Sequence, residues 1–268
     1  MSQISQNFHS KAIAGGIEAT KDTLALDGFA RFSLPDTSRS FFGHLNEACF
    51  ALEPDPYGDG QTRFRSYARA MMLPWEDRKE WFPSTIRHES TTPLNEYYQG
   101  DFNPEIGDRS RYFPVLDPLI SRSTELSDVI AHDFAKTTWS SLDLTNPIQV
   151  GVALMRLYTT SETPEAKITP DCLHQDGEHY TFIHLIDRHN VIGGENAIAP
   201  VSWVGNRPDK VPRPELLARF TLEHRLDSYG VHDPKVSHHV SGIQMQEGQS
   251  EGWRHTLVID FTPMSPRF

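Results

Sequence analysis

The segments PIQVGVALMRLYTT (147–160), YTFIHLIDR (180–188) and HTLVIDFTP (255–263) decide the fold class of this chain. Each is a short run rich in β-branched and aromatic residues, and Gly, Pro and Asp residues separate the runs, which predicts strands. Such strands in the second half of a chain are typical of an antiparallel β-sandwich or jelly roll, and of these we expect the jelly roll, a cupin-like double-stranded β-helix. We therefore expect a mainly β protein with flanking helices and a jelly-roll core.

The first half of the chain has apolar residues at helical spacing instead. SRSFFGHLNEACFALE (38–53) predicts one helix, and SYARAMMLPWEDRKEWF (66–82) carries a second apolar stripe that is interrupted at Pro74. ELSDVIAHDFAKTTWSSL (125–142) predicts a further helix by the same spacing. These segments are expected to pack as helices on the outside of a larger body.

The length of 268 residues fits one large domain that buries its own core. We expect a single domain over residues 1–268, in which a mostly helical N-terminal segment, residues 1–90, packs on a jelly roll formed by 91–268. Between residues 97 and 114 the sequence mixes aromatic residues with turn formers, which predicts an irregular loop lining a cleft.

Composition and charge limit the partners of the chain. The net charge of -11 argues against general nucleic-acid binding, which needs clustered Lys and Arg. Only two cysteines occur, and neither a signal peptide nor a membrane span is evident, so we expect a soluble cytoplasmic protein. The expected partner is a small-molecule substrate, with neither nucleic acid nor membrane, and a homodimer stays open.

The 13 histidines direct attention to metal binding, because histidine is the commonest side-chain metal ligand. His174 and Asp176 are two residues apart, so in an extended segment their side chains point to the same side and can meet at one ion. The pair is weak evidence alone, since a chain of this composition is expected to contain about one such pair by chance.

Two downstream features make the pair more specific. His238 and His239 each offer a third ligand, and two histidines with one carboxylate leave positions open for oxygen and an organic chelate. Arg254 begins a predicted strand on which Thr256 shares its face, so the guanidinium and the hydroxyl can bind one carboxylate. The order of these elements identifies the site better than any one of them.

The sequence resembles a known family at these positions. LHQDGEHYTFIHLIDRHNVIGGEN (173–196), VSHHVSGI (236–243), RHTLVIDF (254–261) and YYQGDFNPEIGDRSRYFP (97–114) resemble the iron(II)- and 2-oxoglutarate-dependent dioxygenases related to bacterial L-isoleucine hydroxylase, which act on free amino acids. The resemblance covers roughly residues 97–263. It implies Fe(II), the co-substrate 2-oxoglutarate and O2, with hydroxylation of an unactivated C–H bond and release of succinate and CO2.

The resemblance also implies roles for individual residues. It makes His174, Asp176 and His238 the catalytic metal ligands, with His239 as the alternative to His238. Arg254 would bind the distal carboxylate of 2-oxoglutarate. We expect Thr256, on the same strand face, and Tyr158 to complete the cofactor-binding set.

An amino-acid substrate needs a cation for its carboxylate and an acceptor for its ammonium group. Arg111 and Gln99, in the predicted loop, are candidates for this role. Arg156 is a further candidate, since it shares one face of a predicted strand with Tyr158. Glu178 is the candidate acceptor for the ammonium group.

Two other functions compete with the dioxygenase. A cupin-like isomerase or lyase would use the divalent ion as a Lewis acid without 2-oxoglutarate. Arg254 separates the two, because that reaction needs no clamp for a distal carboxylate. A non-catalytic binding module, in which the histidines are incidental, is disfavoured by three converging ligands.

Overall fold

The computed structural model of the protein describes residues 21–76, 78–85, 92–102, 109–168 and 170–264. Its helices are α1 (Lys21–Asp27), α2 (Arg39–Phe50), α3 (Pro118–Ser121) and α4 (Thr124–Phe134). The strands are β1 (Phe29–Ser33), β2 (Arg63–Leu73), β3 (Arg78–Trp81), β4 (Leu94–Tyr97), β5 (Arg111–Pro114), β6 (Ile148–Thr160), β7 (Glu165–Ala166), β8 (Tyr180–His189), β9 (Val191–Gly193), β10 (Glu195–Pro200), β11 (Ala218–Thr221), β12 (Asp227–His232), β13 (Val236–Val240), β14 (Ile243–Met245) and β15 (Glu251–Pro263).

A seven-stranded antiparallel sheet forms the body of the molecule, in the order β1-β12-β8-β15-β6-β2-β3. Its three central strands are the three segments first identified in the sequence, so the strand predictions for β6, β8 and β15 are confirmed. These segments form strands because their β-branched and aromatic side chains are buried on both faces of the sheet.

A smaller three-stranded sheet, β11-β10-β13, packs against the interior face of the large sheet. Ile198 and Val236 from the small sheet contact a buried apolar cluster that contains Ile183, Leu185 and Tyr229 of the large sheet. The two layers make the double-stranded β-helix that the sequence predicts. The interior between them is where polar residues can be held away from water.

The helices pack on the opposite face of the large sheet. Phe42 and Leu45 of α2 and Ile130 of α4 join one buried cluster with Val152 and Ile259 from the sheet. This confirms the helices predicted within 38–53 and 125–142, although the second ends at Phe134 rather than near residue 142. The sheet therefore has a helical side and an interior side.

The helix predicted over 66–82 is wrong, because these residues form β2 and β3 of the large sheet. Ala68 and Ala70 face the helical core, while Tyr67, directly before Ala68, belongs to a separate cluster with Ala153. This alternation is that of a strand, and ten residue pairs with β6 override the helical preference of Ala and Met. The N-terminal segment is therefore not mostly helical where the structure describes it.

The predicted loop over 97–114 is partly regular. Tyr97 ends β4 and Arg111 begins β5, and these two strands pair with each other, whereas residues 103–108 lie outside the described residues. Within the described ranges no helix combines the length and apolar content needed to cross a membrane.

Candidate functional site

Three side chains converge at one end of the interior. His174 forms an isolated bridge with His238 of β13, and Asp176 follows two residues later. The Asp176 carboxylate lies 3.6 Å from His174 Nε2 and 3.3 Å from His238 Nε2, and the three ligand atoms all lie within 4.8 Å of one another. Among the residues that the structure describes, this is the one group of His, Cys, Asp or Glu residues spaced to hold a metal ion.

The two imidazoles differ in their surroundings. His174 Nδ1 lies 2.9 Å from the carbonyl oxygen of Cys172, so a proton there is donated to that oxygen and Nε2 keeps its lone pair. Burial and the neighbouring His238 lower the pKa of His174 to about 4. His174 is therefore neutral at pH 7, the form in which imidazole binds a metal.

His238 lies in a strongly negative field. Although its burial opposes a positive charge, the carboxylates of Asp176 and Asp233 raise the pKa of His238 to about 10. Its Nε2 is buried and forms no hydrogen bond. The position between these carboxylates thus stabilises a positive charge.

Asp233 orients this group and was missed by sequence reasoning. Its Oδ1 accepts a hydrogen bond from the Asp176 amide at 3.0 Å, and its Oδ2 accepts one from the Gly177 amide at 2.9 Å. Asp233 Oδ1 also lies 3.5 Å from His238 Nε2. It directly follows a strand, and no spacing in the sequence distinguishes it from the aspartates that lie on the surface.

The strand register separates His238 from His239. His238 is opposite Ile198, whose side chain belongs to the interior cluster, so His238 also faces the interior. His239 points to the other face of the small sheet, where its Nε2 lies 3.3 Å from Asp171 Oδ1. Only His238 of the two shares the position of His174 and Asp176.

Arg254 and Thr256 lie on the interior face of β15, opposite Leu157 and Met155 of β6. Arg254 is 2% exposed, and its Nε and Nη2 have no hydrogen-bond partner. Burial lowers its pKa to about 10, which leaves it charged at pH 7. Gly194 makes room for this side chain, because a Cβ there would lie 3.1 Å from Arg254 Cδ. A buried, unpaired guanidinium of this kind fits a carboxylate ligand.

Gln99 and Arg111 form a chain to the proposed metal position. Gln99 Nε2 donates to Asp176 Oδ1 at 3.3 Å, and Arg111 Nη2 donates to Gln99 Oε1. Arg111 also lies over the Tyr97 ring at 4.7 Å. Glu178 is 5% exposed and accepts a hydrogen bond from Thr262 Oγ1. Gln99 and Arg111 therefore lie beside Asp176, and the charge of Asp176 also acts on Glu178.

Arg156 and Tyr158 are placed elsewhere, which corrects the prediction for both residues. They are opposite His255 and Trp253 of β15, on the helical side of the large sheet, because Arg254 occupies the interior side. Arg156 lies over the rings of Phe50 and Tyr158, and the Tyr158 hydroxyl donates to Glu251 at 2.7 Å. The alternation of side chains along a strand correctly predicted that Arg156 and Tyr158 share one face of β6. It did not predict which face of β6 is the interior one.

The structure brings two further residues to the interior that the sequence did not single out. Tyr229 of β12 is opposite Ile183, and the charges of Arg254 and Asp176 both act on its hydroxyl, whose pKa is raised by burial. Arg65 of β2 lies 4.2 Å over the Phe113 ring and interacts with Asp176. Arg65 lies in β2, most of which belongs to the segment whose apolar spacing resembles that of a helix. The sequence pattern therefore did not indicate that Arg65 faces the interior.

Two histidines and one carboxylate on one side of a position inside a jelly roll define a class of site, the facial triad of non-haem iron(II) oxygenases. The donors present fit such an ion, because His238 Nε2 is an orphaned buried nitrogen beside a carboxylate. The buried Arg254 fits an organic acid bound next to it.

The family model described as 2OG-Fe dioxygenase matches residues 47–260, and the chain belongs to this family. It is accordingly a dioxygenase that uses Fe(II), 2-oxoglutarate and O2. This removes the metal-dependent isomerase or lyase and the non-catalytic module as interpretations.

Two relatives are similar over most of the chain. The 3(1)-hydroxy-L-isoleucine 4-dioxygenase of Pantoea ananatis (strain AJ13355) is 27% identical over 210 residues, which are 77% of this chain and 75% of that protein. The L-isoleucine-4-hydroxylase of Bacillus thuringiensis is 28% identical over 217 residues, 80% and 79% of the two chains.

The fold agrees with a solved structure. The crystal structure of IDO from Bacillus thuringiensis superposes with a TM-score of 0.66 at 17% identity, covering 92% of this chain and 98% of that one. At this identity the likeness concerns the fold, and it supports the jelly-roll assignment.

Proposed function

We propose that the protein hydroxylates an unactivated C–H bond of a free L-amino acid or a close derivative, with His174, Asp176 and His238 as the iron ligands. The observation that carries this proposal is the convergence of those three side chains within 4.8 Å inside a barrel whose interior also holds the unpaired Arg254. The similarity to two isoleucine-modifying enzymes supports the amino-acid substrate.

Arg254 and Thr256 bind the distal carboxylate of 2-oxoglutarate in this proposal. The guanidinium offers Nε and Nη2, which no other group among the described residues satisfies, and the hydroxyl lies on the same face of β15. Bound iron and 2-oxoglutarate supply the oxidising chemistry, which releases succinate and CO2.

The chain's own residues hold and orient these groups. Asp233 fixes the main chain at Asp176, and the Cys172 carbonyl fixes the His174 ring with its Nε2 toward the metal position. Gln99 donates to Asp176 Oδ1, and Arg111 orients Gln99 by donating to its Oε1. Burial of His174, His238 and Arg254 holds these groups away from bulk water.

The proposal is tested by screening the twenty common amino acids for substrate-dependent succinate release, with product mass recorded. We expect one or a few aliphatic amino acids to raise succinate release and to gain about 16 mass units, the mass of one oxygen atom. His174→Ala should abolish both. Release of succinate that no amino acid or simple derivative stimulates would contradict the substrate class while leaving the dioxygenase intact.

A further inference from the structure

A second group of buried polar side chains lies on the interior face of the large sheet. Asp260 of β15 is 5% exposed and directly opposite Gly151 and Thr181. Its Oδ1 accepts a hydrogen bond from the Gly151 amide at 3.0 Å, and a Cβ at residue 151 would overlap the carboxylate. The glycine therefore provides the space in which this carboxylate sits.

Two hydroxyl groups beside Asp260 have no partner. Thr181 Oγ1 and Tyr67 Oη are buried without a hydrogen bond, and the two residues are 3% and 1% exposed. Thr181 is the direct neighbour of Asp260 in the adjacent strand, and Tyr67 faces the interior opposite Ala153. Buried polar groups nearly always find a partner, so these two indicate a ligand that brings hydrogen-bonding groups into the interior.

A positive group lies on the same face. Arg65 of β2 is opposite Met155, which in turn is opposite Thr256, so its side chain starts on the interior side. Its Nε is buried and unpartnered, and the described residues provide no carboxylate ion pair for it. Its charge acts on both Asp176 and Asp260, which places it near the metal position and near the acid.

Arg65 and Asp260 lie within electrostatic range of each other, since the charge of Arg65 acts on the Asp260 carboxylate. Arg65 and Asp260 lie beside Met155 and Gly151 on the strand between them, which are four residues or about 13 Å apart along the backbone. The long arginine side chain spans part of this distance. Arg111 is less suited to the same task, because it already donates to Gln99.

We propose that Arg65 and Asp260 are the two anchors of the primary substrate, with Arg65 binding its α-carboxylate and Asp260 accepting its α-ammonium group. Tyr67 and Thr181 complete the ammonium end with their hydroxyls. This inference rests on the proposed function, since it takes the substrate to be a free amino acid. It names the residues that make the enzyme require both the α-carboxylate and the α-ammonium group of its substrate.

The test compares three ligands in each variant: the amino acid that releases most succinate in the wild type, its primary amide and its N-acetyl derivative. Arg65→Met should lower kcat/KM for the free amino acid about 10- to 100-fold and leave the amide unchanged, because a charge-assisted hydrogen bond is lost. Asp260→Asn should instead lower kcat/KM for the free amino acid by a similar factor and leave kcat/KM for the N-acetyl derivative unchanged. Arg65→Met should still prefer the free amino acid over the N-acetyl derivative, and Asp260→Asn should still prefer it over the amide.

A second readout is the shift of the anaerobic iron(II)–2-oxoglutarate absorption band when each ligand is added, which reports binding without turnover. Arg69→Met is the matched control for Arg65, since Arg69 shares its strand face but pairs with Glu96 at 3.5 Å. Asp187→Asn is the control for Asp260, as a carboxylate on the helical side that accepts from Trp253 Nε1 at 2.9 Å. Both controls should keep both preferences.

The proposal is overturned if either variant lowers kcat/KM equally for all three ligands, or if both preferences persist in the variants. Arg65→Lys keeps a cation and should restore part of the carboxylate preference, which provides a reading if Arg65→Met does not fold. If the wild type itself responds to no amino acid, the proposed function has failed rather than this assignment.

Discussion

Replacing Arg254 by methionine should abolish tight binding of 2-oxoglutarate and spare iron binding. The guanidinium has two unpartnered nitrogens, so a carboxylate there gains up to two charge-assisted hydrogen bonds. At about 1.5–3 kcal/mol each, the loss of both weakens binding by roughly 3–6 kcal/mol, which is about a hundredfold to ten-thousandfold. Leu157, opposite residue 254 in β6, is an apolar neighbour for the methionine, so the fold should tolerate it.

Thermal unfolding provides an independent measure of the same change. A ligand that binds only the folded state at a hundred times its Kd stabilises it by about 2.7 kcal/mol. The wild type should show this gain with 2-oxoglutarate and iron(II), and Arg254→Met should not. Without ligand the variant should be at least as stable as the wild type, because it removes a buried unpaired charge.

The assays are the KM for 2-oxoglutarate, the iron(II) affinity and the two melting curves. Arg219→Met is the control, since Arg219 pairs with Glu195 on the surface and should leave all of these unchanged. An Arg254→Met enzyme that loses iron and 2-oxoglutarate equally, or that keeps its KM, would refute the assignment of Arg254 to the co-substrate.

Three further predictions concern aspartates. Asp233→Asn should weaken iron(II) affinity about 10- to 100-fold in an anaerobic titration, because one amide oxygen cannot accept from both the Asp176 and Gly177 main chains; an unchanged affinity would count against its role. Asp133→Asn removes the carboxylate from a fully buried contact of 2.8 Å with His184 and should lower the free energy of unfolding by about 3–5 kcal/mol. The KM for 2-oxoglutarate should not change. An unaffected melting curve would contradict this prediction. Burial, together with the charge of Asp176, raises the pKa of Asp260 to about 7, so ionising it costs stability as the pH rises from about 4 toward 7. Asp260→Asn should therefore be more stable than the wild type at pH 8, by up to a few kcal/mol, with the difference vanishing near pH 4 in urea melts, and a difference that grows toward acid would have the wrong sign.

The order of His174, Asp176, His238 and Arg254 could be read from the sequence because their types and spacing are local features. His174 lies in a bridge two residues before Asp176, and His238 and Arg254 lie in strands. The central strands β6, β8 and β15 were predictable for the same reason. Their β-branched residues match their buried environment, so local preference and tertiary packing agree.

The remaining features depend on pairing between distant segments. Ala and Met make β2 look helical, and only its pairing with β6 shows that Arg65 reaches the interior. Arg156 and Tyr158 could be placed on one face but not on the correct side, since both faces of the central sheet are buried. Asp233 acts through two main-chain amides, which leaves no trace in side-chain spacing.

The most direct test of the metal site is the anaerobic visible spectrum with iron(II) and 2-oxoglutarate. The wild type and His239→Ala should both show the weak charge-transfer band of an iron(II)–2-oxoglutarate chelate, because His239 faces Asp171 outside the barrel. His238→Ala should lose the band, since its Nε2 lies 3.3 Å from the Asp176 carboxylate. A band that survives in His238→Ala and disappears in His239→Ala, or that is missing from folded, iron-loaded wild type, would contradict a metal site formed by His174, Asp176 and His238.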